Sequence, residues 1–173
     1  MATQTPVTAV LDQTTATAPR RLVLEVLKRE GIEPQRVKFV ERSPREVYRE
    51  FYHRIDIALD PFPYDGHTTS LDALWMGVPV VSLAGTAAVS RGGLSILVNA
   101  GLPELFAHTE EDYVRIAREL AGNLPRLTAL RRTLRSRMES SVLMDAPRFA
   151  RSIETAYRTM WRRWCAENLS PRS

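Results

Sequence analysis

Cysteine and long apolar runs are what this chain most clearly lacks. Its single cysteine, Cys165, excludes a disulfide within the chain and a cysteine-based metal cluster, so a reducing, cytoplasmic setting is the simplest expectation. No apolar stretch approaches the roughly 20 residues that cross a bilayer. Residues 1–17 have neither the basic start nor the apolar centre of a secretory signal. We therefore expect no membrane segment.

Positive charge is in excess but unevenly placed. The net charge is +4, and the stretch from Arg115 to Arg163 holds 12 arginines against four acidic residues. Such a balance can indicate a nucleic-acid partner, but no nucleic-acid-binding motif accompanies these arginines. They fall within amphipathic helical patterns, where long cationic side chains cover a solvent-exposed face. We therefore expect a solvated helix surface and no nucleic-acid partner.

Strand-like and helix-like segments alternate along the chain, which favours an α/β fold with a parallel sheet and helices on both faces. The pattern predicts strands over residues 37–40, 55–59, 78–83 and 105–107, and helices over residues 20–30, 44–54, 69–76, 89–100, 110–121, 126–140 and 147–164. Ser43 is the predicted N-cap of the second helix, with Pro44 at its first position and Glu46 completing a capping box. Gly77 and Gly101 are predicted helix stops, and Thr109 is the predicted N-cap of the helix that follows it.

Four strands are fewer than the five or six of a full doubly wound domain. Additional strands would precede residue 18, where no strand pattern is present. We therefore expect one nucleotide-binding domain over residues 18–165, a disordered lead over residues 1–17 and a flexible tail over residues 166–173. The domain is interpreted as part of a larger α/β enzyme, truncated at its N-terminal strands.

The segment from Asp60 to Asp72 is the most informative part of the sequence. It begins at the end of a predicted buried strand, contains a glycine and two threonines, and continues into a helix. A helix start leaves backbone N–H groups unpaired and carries the positive end of the helix dipole. An anion, most often a phosphate, binds well there.

Individual residues of this segment suit a nucleotide. Gly66 can take a positive φ and lets a ligand approach the backbone. His67, Thr68 and Thr69 offer donors to a phosphate, and Asp72 can accept ribose hydroxyls. Taken singly, the threonines could be plain N-caps, Asp72 a first-turn residue that favours the dipole, and His67 an exposed loop residue. Together in one strand–loop–helix unit, they favour a ligand site.

The sequence also resembles a known family. DIALDPFPYDGHTT over residues 56–69 and DALWMGVPVV over residues 72–81 resemble the catalytic region of the O-linked N-acetylglucosamine transferase and SPINDLY family of glycosyltransferases. The resemblance continues through LAG at 83–85, SR at 90–91, GLPEL at 101–105 and YRTMW at 157–161. It covers residues 20–165 and implies the C-terminal, donor-binding half of a GT-B enzyme, which is built of two Rossmann-like domains.

The resemblance implies the donor UDP-N-acetylglucosamine and roles for specific residues. His67, Thr68 and Thr69 would bind its diphosphate, and Asp72 its ribose. The nucleoside would bind around the start of the helix predicted over residues 44–54. There Ser43 would frame the uracil through its backbone, Arg45 would lie near the ribose and Tyr48 would stack on the base. No metal or other cofactor is expected. The implied partners are the nucleotide sugar, a protein acceptor with Ser or Thr, and the N-terminal GT-B domain and helical repeats.

This chain departs from the family pattern. Animal members have lysine at Arg45, so the charge is kept with a different geometry, and histidine at Tyr48, where tyrosine keeps a stacking face. The family's upstream strand with a lysine that contacts the donor phosphates, and a glutamine shortly before it, are not found in residues 1–20. No residue is a convincing catalytic base, since Asp65 is more simply a turn residue.

Three alternatives remain open. SPINDLY-type members use GDP-fucose and tend to have threonine at the position of His67, so this histidine favours UDP-N-acetylglucosamine. The chain could also be a non-catalytic nucleotide-sugar-binding module. A third alternative is an interaction domain that uses the arginine-rich helices and the aromatic residues Tyr157, Trp161 and Trp164. The two tryptophans are interpreted as ordinary core residues, and the isolated chain is expected to be inactive.

Overall fold

The computed structural model of the protein describes residues 9–11, 17–40, 43–60 and 62–168. The strands in this part of the chain are β1 (Ala9–Leu11), β2 (Val37–Phe39), β3 (Ala58–Asp60), β4 (Val80–Leu83) and β5 (Phe106–Ala107). The helices are α1 (Thr17–Arg29), α2 (Arg45–Phe51), α3 (Thr68–Trp75), α4 (Gly92–Asn99), α5 (Glu110–Gly122), α6 (Leu124–Ser140) and α7 (Ala146–Asn168). None of these helices is long and apolar enough to cross a bilayer.

Among the described residues, all strand pairing is parallel and falls into two ladders. β1 pairs with β2, and β4 lies between β3 and β5. Ala58 lies opposite Val80, and Ser82 lies opposite Phe106, so the carboxyl ends of these three strands meet at one edge. Parallel neighbours joined by helical crossovers define an α/β fold, which confirms the predicted fold class.

The core is built around β4, in which every residue is buried. α3, α4 and α5 each contact this strand, and they contribute the fully buried side chains Leu74, Leu97 and Leu120. A central parallel strand is covered on both faces, which is why Val80 and Val81 are consecutive apolar residues. The edge of the sheet above this core is where loops can carry a ligand site.

α6 packs through one stripe and exposes three of its five arginines, whereas Arg126 and Arg131 are half-buried. Its buried residues recur every three or four positions, and they are Leu127, Leu130, Leu134 and Met138. Arg132, Arg135 and Arg137 are exposed on the other faces. This is the spacing of an amphipathic helix with a solvated basic face.

Two predicted chain ends differ from the structure. We expect no strand before residue 18, but Ala9–Leu11 forms β1 and pairs in parallel with Val37–Phe39. Three residues are too few to show an alternating pattern, so only the pairing reveals this strand. At the other end, α7 continues to Asn168, so residues 166–168 are helical. The disorder predicted for residues 1–8, 12–16 and 169–173 lies outside the described residues.

The capping box predicted at Ser43 is wrong. α2 begins at Arg45, Pro44 occupies the N-cap position in an extended conformation, and no side chain caps the helix. Ser43 therefore lies one residue too early to reach the first-turn amides, and its Oγ is buried without a hydrogen-bond partner. Thr109, in contrast, accepts from the Asp112 N–H at 3.2 Å, which confirms that N-cap.

Several predicted boundaries also move by a few residues. β3 begins at Ala58, three residues later than expected, because Ala58 is the first residue opposite β4. α4 begins at Gly92 after a short 3-10 turn. Gly77 and Gly101 end their helices with φ of 78° and 70°, the left-handed conformation that glycine adopts without strain. Both predicted helix stops are confirmed.

The aromatic residues of α7 are not core residues, which corrects our interpretation of the two tryptophans. Trp161 is 63% exposed and Trp164 is 50% exposed, and none of the described residues of α7 is buried. The two indoles stack on each other with centroids 5.3 Å apart. The helix pattern was apolar on one face, but a pattern alone does not show whether another element covers that face.

Candidate functional site

The candidate site lies where the chain leaves β3 and enters α3. The loop predicted to bind phosphate, residues 62–67, is called the phosphate loop below. It follows the carboxyl end of a parallel strand, which is where α/β folds bind ligands. His67 occupies the N-cap position of α3 without a side-chain cap bond, and the Leu71 N–H donates to its carbonyl at 3.0 Å. The amides of the first turn therefore have no carbonyl of their own helix to donate to.

His67, Thr68 and Thr69 are all exposed at this helix start. The structure thus brings the three predicted phosphate-binding residues together at the positive end of α3. Asp72 is half-buried one turn further along, on the helix face it shares with Thr68 and Thr69. The structure places these four residues at the N-terminal end of α3, whereas the binding roles predicted for them stay predictions.

Gly66 serves this loop by close packing. Its φ is not positive, unlike those of Gly31, Gly77 and Gly101, so the loop does not use the positive φ that glycine allows. A Cβ built on Gly66 would lie 2.6 Å from both the Ser70 and the Thr69 hydroxyl oxygens. Only glycine lets the loop lie this close to the first turn of α3.

The imidazole of His67 is held by the loop and by α4. Its Nδ1 lies 3.2 Å from the Asp65 carbonyl oxygen, and a carbonyl can only accept, so Nδ1 carries the proton. Nε2 faces Gly92, where a Cβ would lie 2.6 Å from it. In this arrangement Nε2 can donate to a phosphate oxygen only when the ring is the doubly protonated imidazolium.

Two carboxylates buried behind the loop were not among the predicted site residues. Asp60 is 3% exposed and Asp65 is 0% exposed. Asp60 Oδ1 accepts from the Gly66 N–H at 2.6 Å and Oδ2 accepts from the Ser82 hydroxyl at 3.2 Å. Burial raises the pKa of Asp60 and the nearby Asp65 adds to this, while the hydrogen bonds from Gly66 and Ser82 oppose it.

Asp65 is therefore more than the turn residue that we expect from the sequence. Its Oδ2 accepts from the Gly93 N–H at the start of α4, at 3.0 Å, and its Oδ1 is buried without a hydrogen-bond partner. The only sequence signal for Asp60 was its place at the end of a buried strand. Asp65 precedes a glycine, as turn residues commonly do, so its sequence neighbours give no sign of its burial.

α2 and the turn that follows it are joined to the first turn of α3 through Tyr52. The Tyr52 hydroxyl donates to the Thr69 carbonyl at 3.2 Å and is also hydrogen-bonded to the Tyr48 hydroxyl. The two rings meet edge to face with centroids 5.3 Å apart. The structure thus places Tyr48, a predicted base-stacking residue, in the same network as the predicted phosphate-binding threonine.

The other two residues predicted for the base and ribose lie at the start of α2. Arg45 is the first residue of that helix, and its side chain lies outside what the structure describes. Ser43 is half-buried two residues earlier. The predicted backbone contact of Ser43 and the predicted ribose contact of Arg45 stay predictions.

Tyr113 of α5 reaches the same edge of the sheet. Its hydroxyl donates to the Asp60 carbonyl at 3.3 Å. Burial, with a smaller contribution from the Asp60 charge, raises the pKa of Tyr113 to about 12. Tyr113 is therefore a neutral donor at physiological pH, and it ties α5 to the end of β3.

Comparisons with known proteins agree with this geometry. The model for glycosyl transferase family 41 matches residues 14–153. The chain is 41% identical over 147 residues to the probable UDP-N-acetylglucosamine–peptide N-acetylglucosaminyltransferase SPINDLY of Solanum lycopersicum, covering 84% of the chain and 16% of that protein. It is 32% identical over 134 residues to the UDP-N-acetylglucosamine–peptide N-acetylglucosaminyltransferase of Caenorhabditis elegans, covering 78% of the chain and 12% of that protein.

A solved structure adds the fold. A mutant of the Thermobaculum terrenum O-GlcNAc transferase matches with a TM-score of 0.81 and 39% identity, covering 88% of this chain and 29% of that one. The parallel sheet and the loop at its carboxyl edge thus define a Rossmann-like α/β domain of the GT-B glycosyltransferase type. More specifically, the chain belongs to glycosyltransferase family 41, which confirms the resemblance to O-GlcNAc transferases and SPINDLY. It spans 16% of the length of the SPINDLY relative.

Proposed function

We propose that this chain binds the nucleotide-sugar donor of a protein O-glycosyltransferase, and that the donor is UDP-N-acetylglucosamine. The observation that carries the proposal is the exposed His67-Thr68-Thr69 sequence at the start of α3, at the carboxyl edge of the sheet. The names of the plant and nematode relatives support this choice of donor.

The diphosphate would lie against the first turn of α3. The unpaired amides of that turn, the helix dipole and the hydroxyls of Thr68 and Thr69 all favour negative charge there. His67 can add a donor at Nε2 when both of its ring nitrogens carry a proton. When the sugar–phosphate bond breaks, charge grows on the departing UDP, and donors already in place stabilise that charge without having to reorganise.

The nucleoside would lie between α2 and α3. Asp72, one turn from Thr69, can accept both ribose hydroxyls. Tyr48, which is linked to α3 through Tyr52, offers a ring face to the uracil. Ser43 would contact the base through its backbone, and Arg45 would lie near the ribose.

The transfer reaction also needs groups that bind and activate the acceptor, and our proposal does not assign these to this chain. In an inverting transfer, the hydroxyl of an acceptor Ser or Thr attacks the anomeric carbon as UDP leaves. The sequence offers no convincing base for that hydroxyl, so we assign this chain the donor side and assign the acceptor side to the rest of the enzyme. Binding without transfer is therefore the expected behaviour of the isolated chain.

Calorimetric titration with UDP, with GDP in a parallel titration, tests the proposal. We expect UDP to bind, GDP to bind at least tenfold more weakly, and His67→Ala to weaken UDP binding about tenfold, the loss of one charge-assisted hydrogen bond. His53→Ala is the matched control, because His53 is exposed in a turn after α2. Preference for GDP would replace the donor by a guanosine diphosphate sugar, and no binding of either nucleotide would reject the proposal.

A further inference from the structure

The two carboxylates behind the phosphate loop are unusual neighbours for an anion site. Asp60 and Asp65 are both buried, and they are close enough for the charge of Asp65 to raise the pKa of Asp60. Negative charge behind a diphosphate opposes its binding, and a buried carboxylate is expensive unless its oxygens accept hydrogen bonds. Their benefit to the site must therefore come from the groups they hold.

Asp60 holds the loop at Gly66. Its Oδ1 accepts from the Gly66 N–H at 2.6 Å, and its Oδ2 is held in turn by the Ser82 hydroxyl at 3.2 Å. Ser82 lies on the fully buried strand β4. A charged acceptor makes stronger bonds to backbone N–H groups than a neutral one, so this contact ties the residue before His67 to the rigid sheet.

Asp65 joins the loop to α4 and to His67. Its side chain accepts from the Gly93 N–H at 3.0 Å, and its backbone carbonyl accepts from His67 Nδ1 at 3.2 Å. The imidazole also packs against Gly92, the neighbour of Gly93. One residue therefore sets both the position of α4 and the orientation of the histidine.

α4 lies directly against these carboxylates. A Cβ built on Gly93 would lie 2.7 Å from Asp60 Oδ2 and 2.0 Å from Ser82 Oγ. Distances this short leave no space for a side chain. The loop, the strand and the helix start are thus held together by the two carboxylates and a glycine.

We propose that Asp60 and Asp65 are positioning residues, which fix the phosphate loop and His67 in their anion-binding arrangement before any nucleotide arrives. The inference deepens the proposed function and rests on it for the nature of the ligand. Because the loop would be ordered in advance, less conformational entropy is lost when the diphosphate binds.

Asparagine and alanine variants separate geometry from charge. In Asp60→Asn, the amide oxygen can still accept from Gly66 and the amide nitrogen can donate to Ser82. In Asp65→Asn, the amide oxygen can still accept from Gly93. Both asparagine variants keep the framework and remove a negative charge, so we expect UDP affinity equal to or higher than that of the wild type. Asp60→Ala and Asp65→Ala lose the framework, and we expect UDP affinity to fall at least tenfold.

The first readout needs no nucleotide. Amide hydrogen exchange, followed by NMR at Gly66 and Gly93, reports the two bonds directly. We expect both amides to be protected in the wild type and in the asparagine variants, and the corresponding amide to lose protection in each alanine variant. Exchange at Val81 in the core shows whether a variant is folded, and Asp56→Ala, at an exposed aspartate, is the matched control.

The second readout is UDP titration of the same variants. If the alanine variants lose amide protection as expected but the wild-type protein does not bind UDP, then UDP is not the ligand. The role of Asp60 and Asp65 in holding the loop would still hold. Alanine variants that stay folded and keep both protection and UDP affinity would overturn the inference. Asparagine variants that lose affinity as alanine variants do would also overturn it, because charge rather than positioning would then be what matters.

Discussion

Replacing Gly93 with alanine tests how tightly α4 packs behind the phosphate loop. The added Cβ would lie 2.0 Å from Ser82 Oγ and 2.7 Å from both Ser82 Cβ and Asp60 Oδ2. A Cβ that lies less than about 3 Å from a non-bonded heavy atom forces one of the two groups to move. Ser82 lies on the buried central strand and Asp60 holds Gly66, so the helix has to move away from both.

The expected size of the effect follows from three contributions. Overpacking in a core costs about 1–3 kcal/mol. Moving α4 also breaks the bond from Gly93 to Asp65, which leaves a buried charged acceptor unpaired and costs about 1–3 kcal/mol. Alanine offsets about 1 kcal/mol through its higher helix propensity. We therefore expect the free energy of unfolding to fall by about 1–5 kcal/mol.

Urea unfolding followed by circular dichroism measures this change. Gly122→Ala is the matched control, since it also lies in a helix and its Cβ would meet nothing within 4 Å. That control should unfold at the wild-type urea concentration or slightly above it. If Gly93→Ala were as stable as Gly122→Ala, the packing of α4 against Asp60 and Ser82 would be refuted.

Three further predictions address single contacts. Tyr52→Phe removes the hydroxyl that donates to the Thr69 carbonyl, so the free energy of unfolding should fall by about 1 kcal/mol and UDP affinity should also fall. Unchanged values in both urea unfolding and UDP titration would contradict the link from α2 to α3. Thr109→Ala removes the N-cap of α5 and should lower the free energy of unfolding by about 0.5–2 kcal/mol, whereas Thr155→Ala, on the exposed face of α7, should have little effect. Burial raises the pKa of the Asp60 carboxyl above 3.8 in the folded state. Protonation of Asp60 therefore favours the folded state at low pH, and this contribution to stability is lost as pH rises from about 3.8 through the raised pKa. Asp60→Asn has no such loss, so its stability relative to the wild type should increase with pH over that window, and a constant difference would show that the carboxylate is not desolvated.

The parts of the fold that the sequence predicts are those with strong local signals. The stops at Gly77 and Gly101 and the cap at Thr109 are each determined by one residue's backbone or side-chain preference. The strand over β4 is apolar because it is covered on both faces. The segment around Gly66 is predicted as a phosphate site because a glycine precedes a helix start that carries two threonines, and these signals are local to the segment.

The parts that were missed depend on contacts between distant segments. β1 is defined only by its pairing with β2, and the start of α2 depends on Pro44, whose extended conformation delays the helix by one residue. Asp60 meets Ser82 across 22 positions and Asp65 meets Gly93 across 28. Nothing local to an aspartate in a turn shows that its carboxylate will be buried under a helix start.

The exposed face of α7 illustrates the same limit. An amphipathic pattern predicts that Trp161 and Trp164 lie on one side of a helix, and the structure confirms that they stack on each other. Whether another element covers that side depends on the rest of the fold. Among the described residues, no residue of α7 is buried.

A titration of the ¹⁵N-labelled protein with UDP, followed residue by residue by NMR, tests whether the start of α3 binds the nucleotide. We expect the amide signals of His67, Thr68 and Thr69 to shift together. The signals of Asp72 and Tyr48 should shift along the same binding curve, and GDP at equal concentration should not reproduce these shifts. Unchanged signals at the start of α3, or shifts confined to the exposed aromatic face of α7, would contradict this expectation.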